Sequence, residues 1–293
     1  MIATLGDLLE DVVVWPSGPL QAGADTPAAI HRRRGGSAAN VATAVARLGV
    51  PSRFIGSVGD DEVGARLVAE LSTAGVDVKV RTVEDAATGA IVVVVGPDGE
   101  RSFFTDRGAS TALDRVKKKW LDDISSLHVP AYSFSAEPLA AATVDAIWAV
   151  RGAGGEISID TSSTTALHDI GPERFLDLMA DLEPDVVFAS EREAELLGID
   201  GSTSCRGAGL TVIRRGAKPT VLVDESGRST KVRVPPVEAV LDTTGAGDAF
   251  TAGWLVARDG DAEPEEAIEE GHRAAARVLA TPGAELGEEG EVS

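Results

Sequence analysis

The chain has 293 residues, 43% of them hydrophobic and 25% charged, with 32 glycines and a formal charge of −20 at neutral pH. That length and mix suit one large α/β domain of an ordinary soluble protein. No run approaches the roughly 18 uninterrupted apolar residues of a spanning helix, and Met1 to Gly6 lacks a signal-peptide layout, so a cytoplasmic protein with no membrane partner is expected. The single cysteine, Cys205, excludes an internal disulfide and a Cys-based zinc site and reads as a buried or idle thiol. The excess of 47 acidic over 27 basic residues opposes nucleic acid as a partner of the bulk surface.

Strand-like and helix-like segments alternate along the chain. Short apolar runs at 3–5, 52–56, 126–129, 156–160, 185–189, 210–213 and 220–223 predict strands, and segments of helical period at 38–48, 64–74, 139–151, 172–182 and 246–258 predict helices. This order gives an α/β fold with a mostly parallel sheet and helices on both faces. Two stretches break the rhythm: 12–15 leads through a Pro- and Gly-rich bend to 28–34, and 89–95 turns at Pro97-Asp98-Gly99 into 100–105. They read as antiparallel hairpins of a small β sheet standing off the body as a lid. No repeat or linker divides residues 1–284, read as one domain, whereas 285–293 is acidic, Gly-rich and expected to fray.

Two glycine-rich elements carry the functional signal. The first, Gly35-Gly36-Ser37-Ala38-Ala39-Asn40, runs into a helix that Gly49 ends. The diglycine permits close approach to a ligand, Ser37 reads as the N-cap, and Asn40 offers a donor and an acceptor among small side chains. A tight strand-to-helix turn chosen for packing explains it equally well. The second, Asp242-Thr243-Thr244-Gly245-Ala246-Gly247-Asp248, opens a helix with Gly-Ala-Gly, whose outward N–H groups suit an anion. Asp248 either caps that helix or takes a proton from a hydroxyl attacking phosphorus. No G-x-x-x-x-G-K-[S/T] occurs, which excludes a P-loop enzyme, and Phe250 stands where a dinucleotide fingerprint needs its third glycine.

The two elements, in this order and about 200 residues apart, resemble the paired signatures of the PfkB carbohydrate kinases, also called the ribokinase family. The resemblance covers nearly the whole chain, from Gly6 to Ala284. It implies a ribokinase-like three-layer α/β/α sandwich with a β-sheet lid. It also implies ATP- and magnesium-dependent phosphorylation of a hydroxyl, usually the hydroxymethyl group, of a small carbohydrate such as ribose, fructose or a keto-deoxy sugar acid. On this resemblance Asp248 is the general base, and the backbone of Gly245, Ala246 and Gly247 is the anion hole. Asp11, Gly35, Gly36 and Asn40 hold the sugar, with Asp7 near the same place. Asp242 and Thr244 match positions that in many relatives help bind a monovalent cation such as potassium. His272 falls at the adenine-side wall, where an Asn often stands; a surface histidine is the alternative.

Departures from the family pattern bear on the nucleotide. The family's Asn-x-x-Glu, which organises magnesium, reads Ser190-Glu191-Arg192-Glu193, so Glu193 is kept and a hydroxyl replaces the amide. The nucleotide loop Thr-x-Gly-x-x-Gly reads Arg214-Arg215-Gly216-Ala217-Lys218-Pro219; Gly216 is retained, and Pro219 removes an N–H. Arg214 or Lys218 either pairs with ATP phosphates or faces solvent and nearby carboxylates. Arg107, just after the lid hairpin, either reaches a carboxylate or phosphate on the substrate or forms a salt bridge with Asp106 or Glu100. A nucleoside kinase, with Phe103 and Phe104 in the lid, is the alternative, as is a catalytically silent sensor. The Val- and Ile-rich lid strands leave an apolar sheet face, and the resemblance, since such a lid pairs with a second copy in many relatives, implies a homodimer through the lid.

Overall fold

The computed structural model describes residues 1–96, 100–237, 240 and 243–280. Its first half runs β1 (Ile2–Leu5), β2 (Leu9–Pro16), β3 (Ala28–Gly35), α1 (Ser37–Arg47), β4 (Ser52–Gly59), α2 (Glu62–Thr73), β5 (Asp77–Val83), β6 (Thr88–Val95), β7 (Arg101–Gly108) and β8 (Ser126–Pro130). The second half runs α3 (Leu139–Gly152), β9 (Glu156–Asp160), α4 (Thr164–Ile170), α5 (Pro172–Leu182), β10 (Val186–Ser190) and α6 (Glu191–Leu196). It ends with β11 (Leu210–Arg214), β12 (Thr220–Asp224), β13 (Ser229–Val232), α7 (Ala246–Asp259) and α8 (Pro264–Leu279).

Strands with no exposed face are buried on both sides, and β1, β4, β8 and β10 are buried along nearly their whole lengths; polar residues among them such as Thr4, Ser57 and His128 are hydrogen-bonded. They sit inside a nine-stranded sheet of order β13-β12-β11-β10-β9-β8-β1-β4-β5. Pairing is parallel from β11 to β5 and antiparallel only at β11–β12 and β12–β13. On one face Ile147, Phe175 and Met179 bury under α3 and α5; on the other Val41, Val45, Phe250 and Trp254 bury under α1, α7 and α8. Phe188 meets Phe250 and Trp254 edge-on at 6.3 and 5.7 Å, and each such ring contributes about 1.5–3 kcal/mol by leaving water. This is the expected three-layer sandwich. The sequence pattern misses β5, β13, α4 and α6. β5, which alternates valine with charged residues, is a half-exposed edge strand rather than a short apolar run.

The lid is a separate four-stranded sheet of order β3-β2-β6-β7. Its outer pairs are antiparallel, as expected, but β2 and β6 run parallel. The reason is connectivity: the chain leaves the lid after β3, builds α1, β4, α2 and β5 in the body, and returns in the direction it first entered. Asp61, the N-cap of α2, anchors that return. Its Oδ1 accepts from Gly64 N and Thr88 Oγ1, and its Oδ2 from Thr88 N, each at 2.7 Å. The turn at Pro97-Asp98-Gly99 and the tail 285–293 lie outside the described residues.

Among the described residues no helix is long and apolar enough to cross a membrane. Cys205 is 2% exposed, and burial pushes its thiol up to about 12, which makes it the idle thiol expected.

Candidate active site

The first glycine-rich element joins the lid to the body. β3 ends at Gly35, opposite Leu9, and Gly36 caps α1 with φ 101°. A side chain at Gly36 would place its Cβ 2.2 Å from the Asp7 carbonyl oxygen, and one at Gly35 would place it 2.3 Å from Asp11 Oδ1. The diglycine therefore makes room for Asp7 and Asp11, and Gly36 adopts a backbone that other residues rarely tolerate. Ser37 is not the N-cap; it is the first helical residue, and its hydroxyl points across the cleft.

The second element faces it. Gly245 caps α7 in a left-handed conformation with φ 76°, and α7 begins at Ala246. The N–H of Ala246 turns back to Thr243 O at 3.3 Å, so the outward-facing donors of the first turn are those of Gly247 and Asp248. Asp248 closes the arrangement. Ser37 Oγ donates to its Oδ1 at 2.6 Å and Asn40 Nδ2 to its Oδ2 at 2.9 Å, so side chains over 200 positions apart converge on one carboxylate. Arg34 Nη1 donates to Asn40 Oδ1 at 2.9 Å, which fixes the amide with its nitrogen toward Asp248. Burial and the nearby Asp160 carboxylate push Asp248 up to about 6, against the pull of Ser37, Asn40 and Arg214.

Asp160, absent from the sequence reading, ends β9 beside this carboxylate. It forms an ion pair with Arg214 Nη2 at 2.9 Å and accepts from Thr251 Oγ1 at 3.4 Å. Arg214 Nη1 also donates to Gly247 O at 3.1 Å, fastening the glycine loop to β11. The signal available in the sequence was its place: an acidic residue at the carboxyl end of a parallel strand is where α/β sheets bind ligands.

Other expected residues fall differently. Asp11 lies in the lid opposite Arg33; burial raises its pKa, and the charges of Arg33 and Arg34 oppose that rise. Arg107 forms a salt bridge, but its partner is Asp7 rather than Asp106 or Glu100. Nε and Nη2 bind the Asp7 carboxylate at 2.9 and 2.7 Å, and Nη1 binds Ser135 Oγ at 2.6 Å. All three of its nitrogens are engaged, so Arg107 ties the lid to the body. His272 is not a surface residue: it is 6% exposed, bonded through Nε2 to Thr220 Oγ1 at 2.9 Å and packed on Phe250. The apolar fill between β12 and α7 draws it inward, and burial holds its pKa down, favouring the neutral ring. Gly216 takes φ 60° in the β11–β12 turn, while Lys218 and Arg215 both pair with Glu191 at 2.9 Å.

Glu193 is buried and forms a capping box with Ser190. Its Oε2 accepts from Ser190 N and Thr161 Oγ1, both at 2.7 Å. Among the described residues no group of three or more His, Cys, Asp or Glu is placed to cage a metal. That donor set fits magnesium, which is held by one or two carboxylates, waters and substrate phosphates rather than by an all-protein cage. Asp242 lies outside the described residues. Thr244 Oγ1 accepts from Arg101 of the lid.

Residues 1–289 match the family described as pfkB family carbohydrate kinase. The chain belongs to the PfkB carbohydrate kinases. Its similarity to the fructokinase of Salmonella typhimurium is 34% identity over 247 residues, 79% of each chain. Among solved structures, the adenosine kinase of Sinorhizobium meliloti superposes with a TM-score of 0.83 at 25% identity, covering 97% of this chain and 94% of that one. A ribokinase II from E. coli, solved with ATP and Mg2+, gives 0.82 at 26% identity, with the same coverage. As a PfkB kinase the protein is a sugar phosphotransferase with the ribokinase-type sandwich and lid.

Proposed function

We propose that the protein transfers the γ-phosphoryl group of ATP to a hydroxymethyl hydroxyl of a small sugar, with Asp248 as general base. The observation that carries this reading is the meeting of Ser37 and Asn40 with Asp248. A carboxylate raised to about 6 and held between two donors is poised to exchange them for a substrate hydroxyl and accept its proton near neutral pH. The hydroxyl oxygen bonds to the γ-phosphorus, the bond to the bridging oxygen breaks, and ADP leaves.

Outward N–H groups at the start of α7 stabilise the charge that develops on the transferring group. Arg214 holds the loop that presents them through Gly247 O. Asp11, Gly35, Gly36 and Asn40 form the sugar side, and the lid excludes water that would otherwise hydrolyse ATP. Ser190, at the end of β10, and Glu193, in the first turn of α6, would hold magnesium through water, and the ion would neutralise phosphate charge. Positioning supplies most of the rate, as in phosphoryl transfer generally.

Fructose and ribose are the first substrates to test, given the fructokinase and ribokinase similarity. A nucleoside is the second reading, favoured by the adenosine kinase likeness and by Phe103, 63% exposed on the lid face turned to the body. ADP release measured over a panel of sugars and nucleosides decides between them; no release with any member supports a silent sensor and overturns the kinase reading. The outer lid face carries Ile30 and Phe104, 58% and 64% exposed, beside Val12, Val14 and Val92. This face pairs with a second copy in the proposed homodimer, and light scattering that shows only monomer refutes it. Residues 1–284 act as one kinase domain, working in the cytoplasm, where ATP is supplied.

A further inference from the structure

β3 ends in three consecutive arginines, Arg32-Arg33-Arg34, immediately before the diglycine. The antiparallel register with β2 sets Arg34 opposite Glu10, Arg33 opposite Asp11 and Arg32 opposite Val12. Side chains alternate along a strand, so Arg33 shares the face of Asp11 while its two neighbours share the other. The Asp11 face is the one turned to the body: it carries Val13 and Val93, 6% and 7% exposed, and Arg107, which reaches Asp7 beneath the lid.

The surrounding arginines have partners. Arg32 pairs with Glu10 at 2.6 Å, Arg66 with Glu10 and Glu70, Arg107 with Asp7, and Arg34 donates to Asn40. Arg33 differs. Among the described residues it forms no hydrogen bond or ion pair, and its Nε is buried without an acceptor. Asp11 is near enough for the Arg33 charge to act on it, yet the two form no ion pair. The buried Nε of this half-buried side chain lacks an acceptor, and the planar fork of the guanidinium matches a carboxylate or a phosphate. A sugar hydroxyl can accept a hydrogen bond from Arg33 but leaves its charge uncompensated, whereas an anionic group supplies both acceptor and counter-charge.

We infer that the substrate carries an anionic group, a phosphate ester or a carboxylate, which Arg33 binds while Asp11 holds the adjacent hydroxyl. The inference rests on the sugar-kinase reading and gives it a substrate class: a sugar already phosphorylated at another carbon, or a sugar acid. Arg33 is then a specificity-determining residue. It takes the part that the sequence suggested for Arg107, whose nitrogens are tied to Asp7 and Ser135.

The test measures ADP release with matched probes: fructose against its 1- and 6-phosphates, ribose against its 1- and 5-phosphates, and a 2-keto-3-deoxyhexonate. The expected result is a kcat/KM at least about a hundredfold higher for one anionic probe than for its neutral counterpart, since a site built for a charged group rejects the analogue lacking it. The phosphate and carboxylate arms separate the two sources of the anion. In Arg33→Gln, checked for folding by its melting curve, the anion-over-neutral ratio falls to about one through KM. Arg33→Lys, which keeps the charge and loses the fork, recovers part of the ratio. Should neutral sugars exceed every anionic probe, or should Arg33→Gln keep the preference, the inference is overturned while the kinase reading stands. If no probe releases ADP the kinase reading fails. Calorimetric titration of the same anionic probes into the wild type and Arg33→Gln then reads the anion site directly: equal binding, or none, overturns it.

Discussion

The two glycine-rich elements look alike as sequences and work in opposite ways. In Gly35-Gly36 the missing side chains admit other parts of the protein: the Asp11 carboxylate lies where a Gly35 Cβ would be, and the Asp7 carbonyl where a Gly36 Cβ would be. In Gly245-Ala246-Gly247 the second glycine is the open one: among the described residues a Cβ at Gly247 would meet only Arg214, at 3.1 Å from Nη1. The diglycine therefore serves packing within the fold, whereas Gly247 has room left beside it. Glycine at a turn does not by itself mean a ligand; what its Cβ would strike tells the two uses apart.

The sharpest test of this contrast is the carboxylate where the elements meet. Asp248→Asn is expected to lower kcat at least about a hundredfold while the melting curve stays in place, because the loss is that of a base. Near-normal turnover would remove Asp248 from the chemistry. Next in size, Asp11→Ala should raise the sugar KM about ten- to a hundredfold through lost charge-assisted hydrogen bonds, with nucleotide binding still measurable by calorimetry. Loss of nucleotide binding instead would misplace the sugar side.

Gly36→Ala and Gly247→Ala then separate the glycines. The first forces a Cβ against backbone at φ 101° and should cost at least about 2 kcal/mol in urea unfolding. The second should change stability by less than about 1 kcal/mol, since its neighbour is the end of a flexible side chain, and lower turnover instead. Equal destabilisation would erase the contrast.

The smallest effect is on pH. A base must be ionised to work, so kcat/KM should fall as pH drops through about 6. Asn40→Ala removes a donor that favours the carboxylate, which raises the pKa of Asp248 and moves this acid limb to higher pH. A limb that stays put would mean that Asn40 has no influence on the base.

Both glycine elements, the alternation of the body and the lid were legible because they are written in local composition and period. Pro172–Leu182 and Glu156–Asp160 have the bounds that their apolar spacing predicts. The misreadings concern side chains whose partners are distant in sequence. Arg107 meets Asp7 across 100 positions and Arg214 meets Asp160 across 54, and no local pattern marks either pair. His272 fails for a related reason: helical spacing says that α8 has a buried side, but only the packed position of Phe250 and Thr220 puts an imidazole there.

The parallel pairing of β2 with β6 also orders assembly. Those strands become neighbours only after the chain between them has built α1, β4, α2 and β5, so the centre of the lid is a non-local contact with a long loop to close. The lid is not a hairpin that can nucleate alone. Asp11, carried on β2 at that seam, gains its neighbour on β6 only once the first body segments are in place.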